Sequence, residues 1–132
     1  MTISTTDTGS DHSALMDGIY RHQRHFYDLT RKYYLLGRDR MIRDLDMRPR
    51  QALLEIGCGT GRNLALAARL YPDIRLYGLD ISTEMLASAR KTLACLGRTE
   101  PVLQLGDAAC FKAADFGVGG FDRIIISYAL SM

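Results

Sequence analysis

The stretch Leu53-Leu54-Glu55-Ile56-Gly57-Cys58-Gly59-Thr60-Gly61-Arg62 decides the fold of this chain. An apolar run with one carboxylate leads into three glycines at alternate positions, and a helix-forming segment begins at Arg62. This order predicts a strand, a tight turn and a helix whose free N–H groups face a ligand. Glycine suits the turn because it tolerates positive φ and lets the backbone approach a ligand without an intervening Cβ.

The spacing of the glycines restricts the class of ligand. A dinucleotide fingerprint needs a third glycine at the position that Arg62 occupies, and the Gly-Lys-Ser/Thr ending of a P-loop does not occur. The remaining pattern, Glu-x-Gly-x-Gly-x-Gly, resembles motif I of the class I S-adenosylmethionine (SAM) dependent methyltransferases. That resemblance implies a Rossmann-like α/β fold, with a parallel sheet and flanking helices, and SAM as the cofactor. The other interpretation is a glycine-rich turn without a ligand.

Two more strand-like segments end in acids. Asp80 follows the glycine loop by about 20 residues, where Rossmann-like folds place the carboxylate that binds ribose hydroxyls. Asp80 could instead cap the next helix, but Ser82 is better placed for that, so we expect the Asp80 carboxylate to be free. In the family that the chain resembles, the acid at Asp107 accepts from the adenine amino group and the backbone of Ala108 meets a ring nitrogen.

Spacing and resemblance together predict the cofactor site. Its residues are Glu55, Gly57, Cys58, Gly59, Gly61, Asn63, Asp80, Ile81, Met85, Asp107, Ala108 and Ser127. No catalytic base and no metal ligands can be named from the sequence. The three cysteines, Cys58, Cys95 and Cys110, are unclustered, which favours free thiols in a reducing compartment.

The chain alternates between strand and helix patterns. We predict strands near residues 51–56, 75–79, 102–105 and 121–130, with helices near 62–71 and 83–96, and this alternation favours a parallel sheet with right-handed crossovers. The resembled family orders its strands 3-2-1-4-5-7-6, and this chain has strand patterns for the first four. We therefore expect a fragment of that sheet, in which strand 4 has a bare apolar edge at Ile124-Ile125-Ile126. The predicted segments are a disordered tail over 1–12, a helical cap over 13–50, helical to about Arg48, and a SAM-binding half-domain over 51–132.

The helical cap carries a stripe of tyrosines and arginines. Steps of four and three place six residues on one helix face, namely Tyr20, Arg24, Tyr27, Arg31, Tyr34 and Arg38. Arginine forks onto carboxylates and phosphates, and tyrosine can hold a cation over its ring. Residues 12–50 hold nine basic and five acidic residues, a net charge of +4, whereas the rest of the chain is at −2. This suits an anionic substrate or lipid surface, although a solvated helix face would give the same pattern.

The segment from Tyr20 to Arg40 looks like the N-terminal segment of bacterial betaine-lipid N-methyltransferases. The resemblance implies methylation of the amino group of diacylglyceryl-homoserine, a cytoplasmic location and peripheral contact with the inner membrane. By this resemblance Tyr27, Arg31 and Tyr34 would close over the cofactor or the headgroup, and Tyr20 is a further candidate aromatic wall for the methylated product. Tyr128 is a candidate substrate residue because the class I methyltransferases carry substrate-facing residues at the end of the fourth strand; the other interpretation is that Tyr128 only packs.

Other functions fit parts of the same pattern. They are methylation of a small molecule or quinone, transfer of the aminocarboxypropyl arm of SAM, a nucleotide-binding oxidoreductase, and a non-catalytic SAM-binding fragment. Arg62 at the third glycine position disfavours the oxidoreductase. The sequence has no apolar run of about 18 residues to cross a membrane, and residues 1–12 do not resemble a signal peptide. No basic cluster predicts a nucleic-acid partner.

Overall fold

The structure, a computed structural model, describes Lys32 and residues 35–97 and 101–126. The chain divides into two compact units, Met1–Gly37 and Arg38–Met132. The described residues of the first unit are helical. The predicted tail and most of the tyrosine–arginine stripe, Tyr20 to Tyr34, lie outside the described residues.

A helix, α1, covers residues 35–43 and ends before the predicted limit near Arg48. Its last turn tightens, with the Leu45 N–H donating to the carbonyl of Ile42 at 3.4 Å. Asp46 then has a φ of 46°, a left-handed conformation that a right-handed helix cannot include. The prediction was therefore wrong for the last residues of this helix.

Four parallel strands form one sheet. They are β1 (Ala52–Ile56), β2 (Arg75–Asp80), β3 (Val102–Leu105) and β4 (Arg123–Ile126), in the order β3-β2-β1-β4. Helix α2 (Arg62–Leu70) connects β1 to β2, α3 (Thr83–Ala94) connects β2 to β3, and a 3-10 helix (Ala113–Phe116) lies between β3 and β4. The predicted fold class and strand order are confirmed.

Alternate residues of β1 face two separate cores. Leu53 packs in the core that contains Leu64 of α2 and Leu86 of α3. Leu54 packs in the opposite core, with Phe116 of the 3-10 helix. All five residues of β1 are buried, as expected for a central strand of a parallel sheet covered on both faces. The sheet therefore fixes β1, from which the glycine loop departs, between two packed layers.

Gly78 of β2 allows α2 and the glycine loop to lie close to the sheet. A Cβ there would be 2.7 Å from Leu103 Cδ2, 3.0 Å from Cys58 Sγ and 3.1 Å from Leu64 Cδ1. All three distances are at or below the shortest ordinary contacts, so a side chain at this position would displace its neighbours. The absence of a side chain at Gly78 thus brings the loop after β1 against β2.

Strand β4 presents apolar side chains to solvent. Ile125 is buried, but Ile124 and Ile126 are each 51% exposed. Within the described residues, β4 pairs with β1 alone. The expectation of an exposed apolar edge holds for this part of the chain.

Candidate cofactor site

A cavity of about 460 Å³ opens where β1, β2 and β3 end. Its lining residues are Ile56, Gly57, Gly59, Thr60, Leu79, Asp80, Ile81, Met85, Gly106, Asp107 and Ala108. In open parallel α/β sheets, ligands bind in the crevice beyond the carboxyl ends of the strands. The cavity volume is in the usual range for small-molecule sites, about 300–1,000 Å³.

The glycine loop, residues 57–61, forms one wall of this cavity. Gly57, Gly59 and Gly61 have φ values of 71°, 53° and 79°, which other residues adopt only at a cost. The N–H groups of Gly57 and Cys58 donate to the carbonyl of Leu79 at 2.8 and 3.0 Å, so the loop lies across the end of β2. Helix α2 begins directly after Gly61, which provides no side-chain cap, and the first N–H groups of such a helix are available to a ligand.

Asp80 is bound to both neighbouring segments. Its Oδ2 accepts from the Gly59 N–H at 2.8 Å, and its Oδ1 accepts from the Ser82 N–H at 2.9 Å. Ser82 caps α3 as predicted, accepting from the Met85 N–H at 3.3 Å. The expectation that the Asp80 carboxylate is free was wrong, because it holds the glycine loop against β2. Each oxygen retains acceptor capacity for a ribose hydroxyl.

Asp107 also lines the cavity, after β3, and is exposed. Its Oδ1 accepts from the Ala109 N–H at 2.9 Å, which turns the chain after β3. Ile81 and Met85, which are 68% and 44% exposed, line the same cavity. An apolar surface beside an outward carboxylate suits a flat heterocycle that carries an amino group.

Glu55 and Asn63 lie in a buried network rather than in the cavity lining. Asn63 Nδ2 donates to Glu55 Oε1 at 2.7 Å, and Arg38 Nη2 donates to Asn63 Oδ1 at 2.8 Å. Asn63 and Glu55 are each 1% exposed and Arg38 is 7% exposed. Arg38 was predicted to share one helix face with the tyrosines, which lie outside the described residues, so the shared face stays a prediction. The side chain of Arg38 itself is buried on Asn63 rather than on a solvated face.

Cys58 is the buried residue within the glycine loop and is not among the lining residues. Burial first, and then the charges of Glu55 and Asp80, raise the pKa of its thiol to about 12. The thiol is therefore protonated at neutral pH, whereas nucleophilic attack requires the thiolate. The geometry favours a packing role, with Sγ above Gly78.

The structure brings seven of the predicted cofactor residues to the cavity lining, namely Gly57, Gly59, Asp80, Ile81, Met85, Asp107 and Ala108. Four others are outside the lining: Cys58 and Gly61 belong to the glycine loop, and Glu55 and Asn63 lie in the strand and helix on either side of it. Ser127 lies outside the described residues, as do the predicted substrate residues Tyr20, Tyr27, Arg31, Tyr34 and Tyr128. The sequence prediction omitted four lining residues, Ile56, Thr60, Leu79 and Gly106. Their positions at strand ends and inside the loop could have indicated them.

A larger depression, of about 800 Å³, lies at the other edge of the sheet. Arg50, Asp73 and Arg75 are among its lining residues, and this edge is where the parallel strands begin. We assign the ligand to the smaller cavity because that one has the glycine loop and the strand-end acids.

Neither a metal centre nor a membrane-spanning helix is found among the described residues. No group of three or more His, Cys, Asp or Glu side chains is arranged to hold a metal ion. Within the same residues, none of the helices has the length and apolar character needed to cross a membrane.

Glycine loop and strand-end acids together define a Rossmann-like domain that binds an adenosine-containing cofactor. Residues 53–132 match the family model described as "Methyltransferase domain". The chain therefore belongs to the methyltransferase domain family, within the class I SAM-dependent methyltransferases that motif I indicated.

Similar proteins agree with this assignment. Ribosomal RNA small subunit methyltransferase C of Pseudomonas fluorescens is 40% identical over 80 residues, 61% of this chain and 23% of that protein. Demethylmenaquinone methyltransferase of Bacillus cytotoxicus is 29% identical over 122 residues, 92% of this chain and 46% of that protein. A SAM-dependent methyltransferase from Geobacter sulfurreducens, solved with S-adenosylhomocysteine, has a TM-score of 0.51 at 25% identity, covering 60% of this chain and 32% of its own. The chain thus spans less than half the length of each of these proteins.

The residues of the cavity fit SAM. Asp80 is suited to the ribose hydroxyls, and Asp107 to the adenine amino group, since a carboxylate accepts hydrogen bonds from both. Ile81 and Met85 offer an apolar surface to the adenine ring. The backbone of Gly57 and Gly59 leaves space for the amino-acid portion because no Cβ lies between the loop and the cavity.

Proposed function

We propose that this protein is a SAM-dependent methyltransferase that methylates the amino group of a diacylglyceryl-homoserine lipid headgroup. The observation that supports methyl transfer is the cavity in which Gly59, Asp80 and Asp107 meet at the ends of three strands. The choice of acceptor is supported by the sequence from Tyr20 to Arg40 and by its charge.

SAM, when bound, supplies a methyl group on a positively charged sulfur that is a good leaving group. The protein then orients the methyl donor and the acceptor and excludes competing reactions. Asp80 and Asp107, which both line the cavity, are the residues proposed to bind the ribose and the adenine of the adenosine. The N–H groups of the glycine loop donate to Leu79 and Asp80, so the shape of the loop is set before any ligand arrives.

The acceptor is argued from charge and aromatic content. A homoserine headgroup carries a carboxylate, which arginine binds through paired donors, and residues 12–50 have a net charge of +4. After the third methyl transfer the nitrogen carries a permanent positive charge, which the face of a tyrosine ring stabilises. Tyr20, Tyr27, Arg31 and Tyr34 are the residues proposed for these contacts, with the lipid held at a membrane surface.

Quinone methylation is the second candidate. The similarity to demethylmenaquinone methyltransferase extends over 92% of this chain and therefore includes part of the segment that we assign to the lipid. A quinone acceptor would need no arginine for a carboxylate, and this difference separates the two proposals.

The test is an acceptor panel with SAM labelled in its methyl group. The protein is incubated with vesicles containing diacylglyceryl-homoserine, with a reduced demethylmenaquinone, or with ribosomal RNA, and each product is identified by mass spectrometry. We expect labelled lipid with one to three added methyl groups, together with S-adenosylhomocysteine. Labelled quinone or RNA would overturn the lipid acceptor, and methylthioadenosine would indicate aminocarboxypropyl transfer instead.

Variants at Tyr27 test whether the proposed aromatic contact affects the number of methyl groups that are added. Tyr27→Phe keeps the ring and Tyr27→Leu removes it, so we expect the number of added methyl groups to fall only with leucine. Unchanged trimethylation by the leucine variant would contradict a role of this ring in holding the cationic product.

A further inference from the structure

Helix α1 contributes a buried arginine to the start of α2. Arg38 donates from Nη2 to Asn63 Oδ1 at 2.8 Å, and the same amide donates from Nδ2 to Glu55 Oε1 at 2.7 Å. Asn63 thus uses its carbonyl toward a cation and its amino group toward an anion, which is the one orientation that satisfies both.

This network holds all the buried polar and charged side chains of the described residues, namely Arg38, Glu55 and Asn63. A buried carboxylate is costly unless a cation and hydrogen bonds compensate it. Arg38 supplies the positive charge, and the side-chain amide of Asn63 lies between its guanidinium group and the Glu55 carboxylate. The position of the amide therefore depends on both ends of the network.

Asn63 is also the second residue of α2, directly after the glycine loop. Gly61 at the N-cap has a φ of 79° and no side chain with which to fix the helix start. The side chain of Asn63 therefore ties the first turn of α2, next to the glycine loop, to α1. Glu55 extends the same connection to β1, one residue before the cavity lining begins at Ile56.

We propose that Arg38 is a positioning residue for the SAM site, which acts through Asn63 and sets the first turn of α2 against the glycine loop. The proposal rests on the SAM site and not on the choice of methyl acceptor. A lipid, a quinone or an RNA acceptor would leave it equally valid.

Calorimetric titration of S-adenosylhomocysteine tests this proposal without an acceptor. The proteins are the unmodified chain, Arg38→Met, Arg38→Lys, Asn63→Ala and the double variant Arg38→Met/Asn63→Ala. Arg40→Met is the matched control because Arg40 lies on the same helix but is exposed, and its ion pair with Asp44, at 3.6 Å, is on the surface. All titrations are made where circular dichroism shows each variant to be folded.

We expect Arg38→Met to weaken binding about tenfold and Arg38→Lys about threefold, while Arg40→Met binds like the unmodified chain. Lysine keeps the charge but lacks the planar fork of arginine, so it restores the contact only in part. If Arg38 acts through Asn63, the double variant binds no more weakly than Asn63→Ala alone.

Folded Arg38→Met with unchanged affinity would overturn the proposal, as would additive effects in the double variant. If Arg38→Met does not fold, Arg38→Lys decides the question. A threefold loss with an unchanged melting temperature supports positioning, and unchanged affinity contradicts it. Failure of every protein to bind S-adenosylhomocysteine, including the unmodified chain, would refute the SAM site itself together with this proposal.

Discussion

The backbone N–H of Gly59 and the carboxylate Oδ2 of Asp80 are joined by a hydrogen bond of 2.8 Å. These residues are on different segments, one in the loop after β1 and the other at the end of β2. One carboxylate thus holds the cofactor loop in place and also faces the cavity where the ribose is expected. Loop shape and ligand recognition are coupled at Asp80.

Replacement of Asp80 by alanine should weaken binding of S-adenosylhomocysteine about 10- to 100-fold, since hydrogen bonds to charged groups contribute about 1.5–3 kcal/mol. Calorimetric titration measures the change. Asp73→Ala is the control, because Asp73 is an exposed acid in the turn before β2, remote from the cavity lining. If Asp80→Ala and the unmodified chain bind S-adenosylhomocysteine with equal affinity, Asp80 does not contribute to the binding site.

Asp107 should select the adenine base. Its carboxylate accepts from a 6-amino group but repels a 6-oxo group, so S-adenosylhomocysteine should bind about tenfold more tightly than its inosine analogue. In Asp107→Ala this preference should fall below about threefold. Competition titrations with the two ligands give the ratio directly. A preference that survives in the alanine variant would assign base selection to other groups.

Gly61→Ala should destabilise the fold. The residue has a φ of 79°, and an added Cβ would lie 3.2 Å from Ala89 Cβ and 3.3 Å from its Cα in α3. Backbone strain and this contact together should lower the free energy of unfolding by about 1–3 kcal/mol. Urea denaturation measures the loss.

Gly119→Ala is the matched control for that change. Nothing lies within 4 Å of an added Cβ at Gly119, so its effect should be within about 0.5 kcal/mol. Equal stability of the two variants would show that α3 can move away from the loop without cost.

Cys58 should make stability fall at high pH. Because the folded state raises the pKa of its thiol from 9.0 to about 12, the folded chain retains a proton that the unfolded chain loses in this range. The contribution of Cys58 is then complete below pH 9 and is lost as the pH rises toward 12, at up to about 1.4 kcal/mol per pH unit. Urea denaturation from pH 8 to 11 measures the slope. Cys58→Ala should show a shallower one, and equal slopes would contradict the burial effect.

Much of the local structure was predictable from residues close in sequence. The observed β3, Val102–Leu105, has the predicted limits, and β1, β2, α2 and α3 differ from their predictions by one or two residues at an end. Short apolar runs, turn residues and the Ser82 cap act over a few positions, which is why they can be read without a structure.

The side-chain partners were not predictable in the same way. Arg38 and Asn63 are 25 positions apart, and helical spacing alone placed Arg38 on a face with the tyrosines. Periodicity tells which residues share a face, but the neighbouring elements decide whether that face is buried. The same reason explains why the sequence did not reveal that the Glu55 side chain is buried on Asn63.

By itself, the sequence determined the glycine loop, the two strand-end acids and the parallel α/β order, because each depends on residue types at short spacings. Only the tertiary structure decided which of these groups meet. It brought Asp80 onto the loop at Gly59, buried Cys58 against Gly78 and closed the network from Arg38 to Glu55. Such contacts arise from the packing of segments that are distant along the chain, and burial also raises the pKa of the Cys58 thiol.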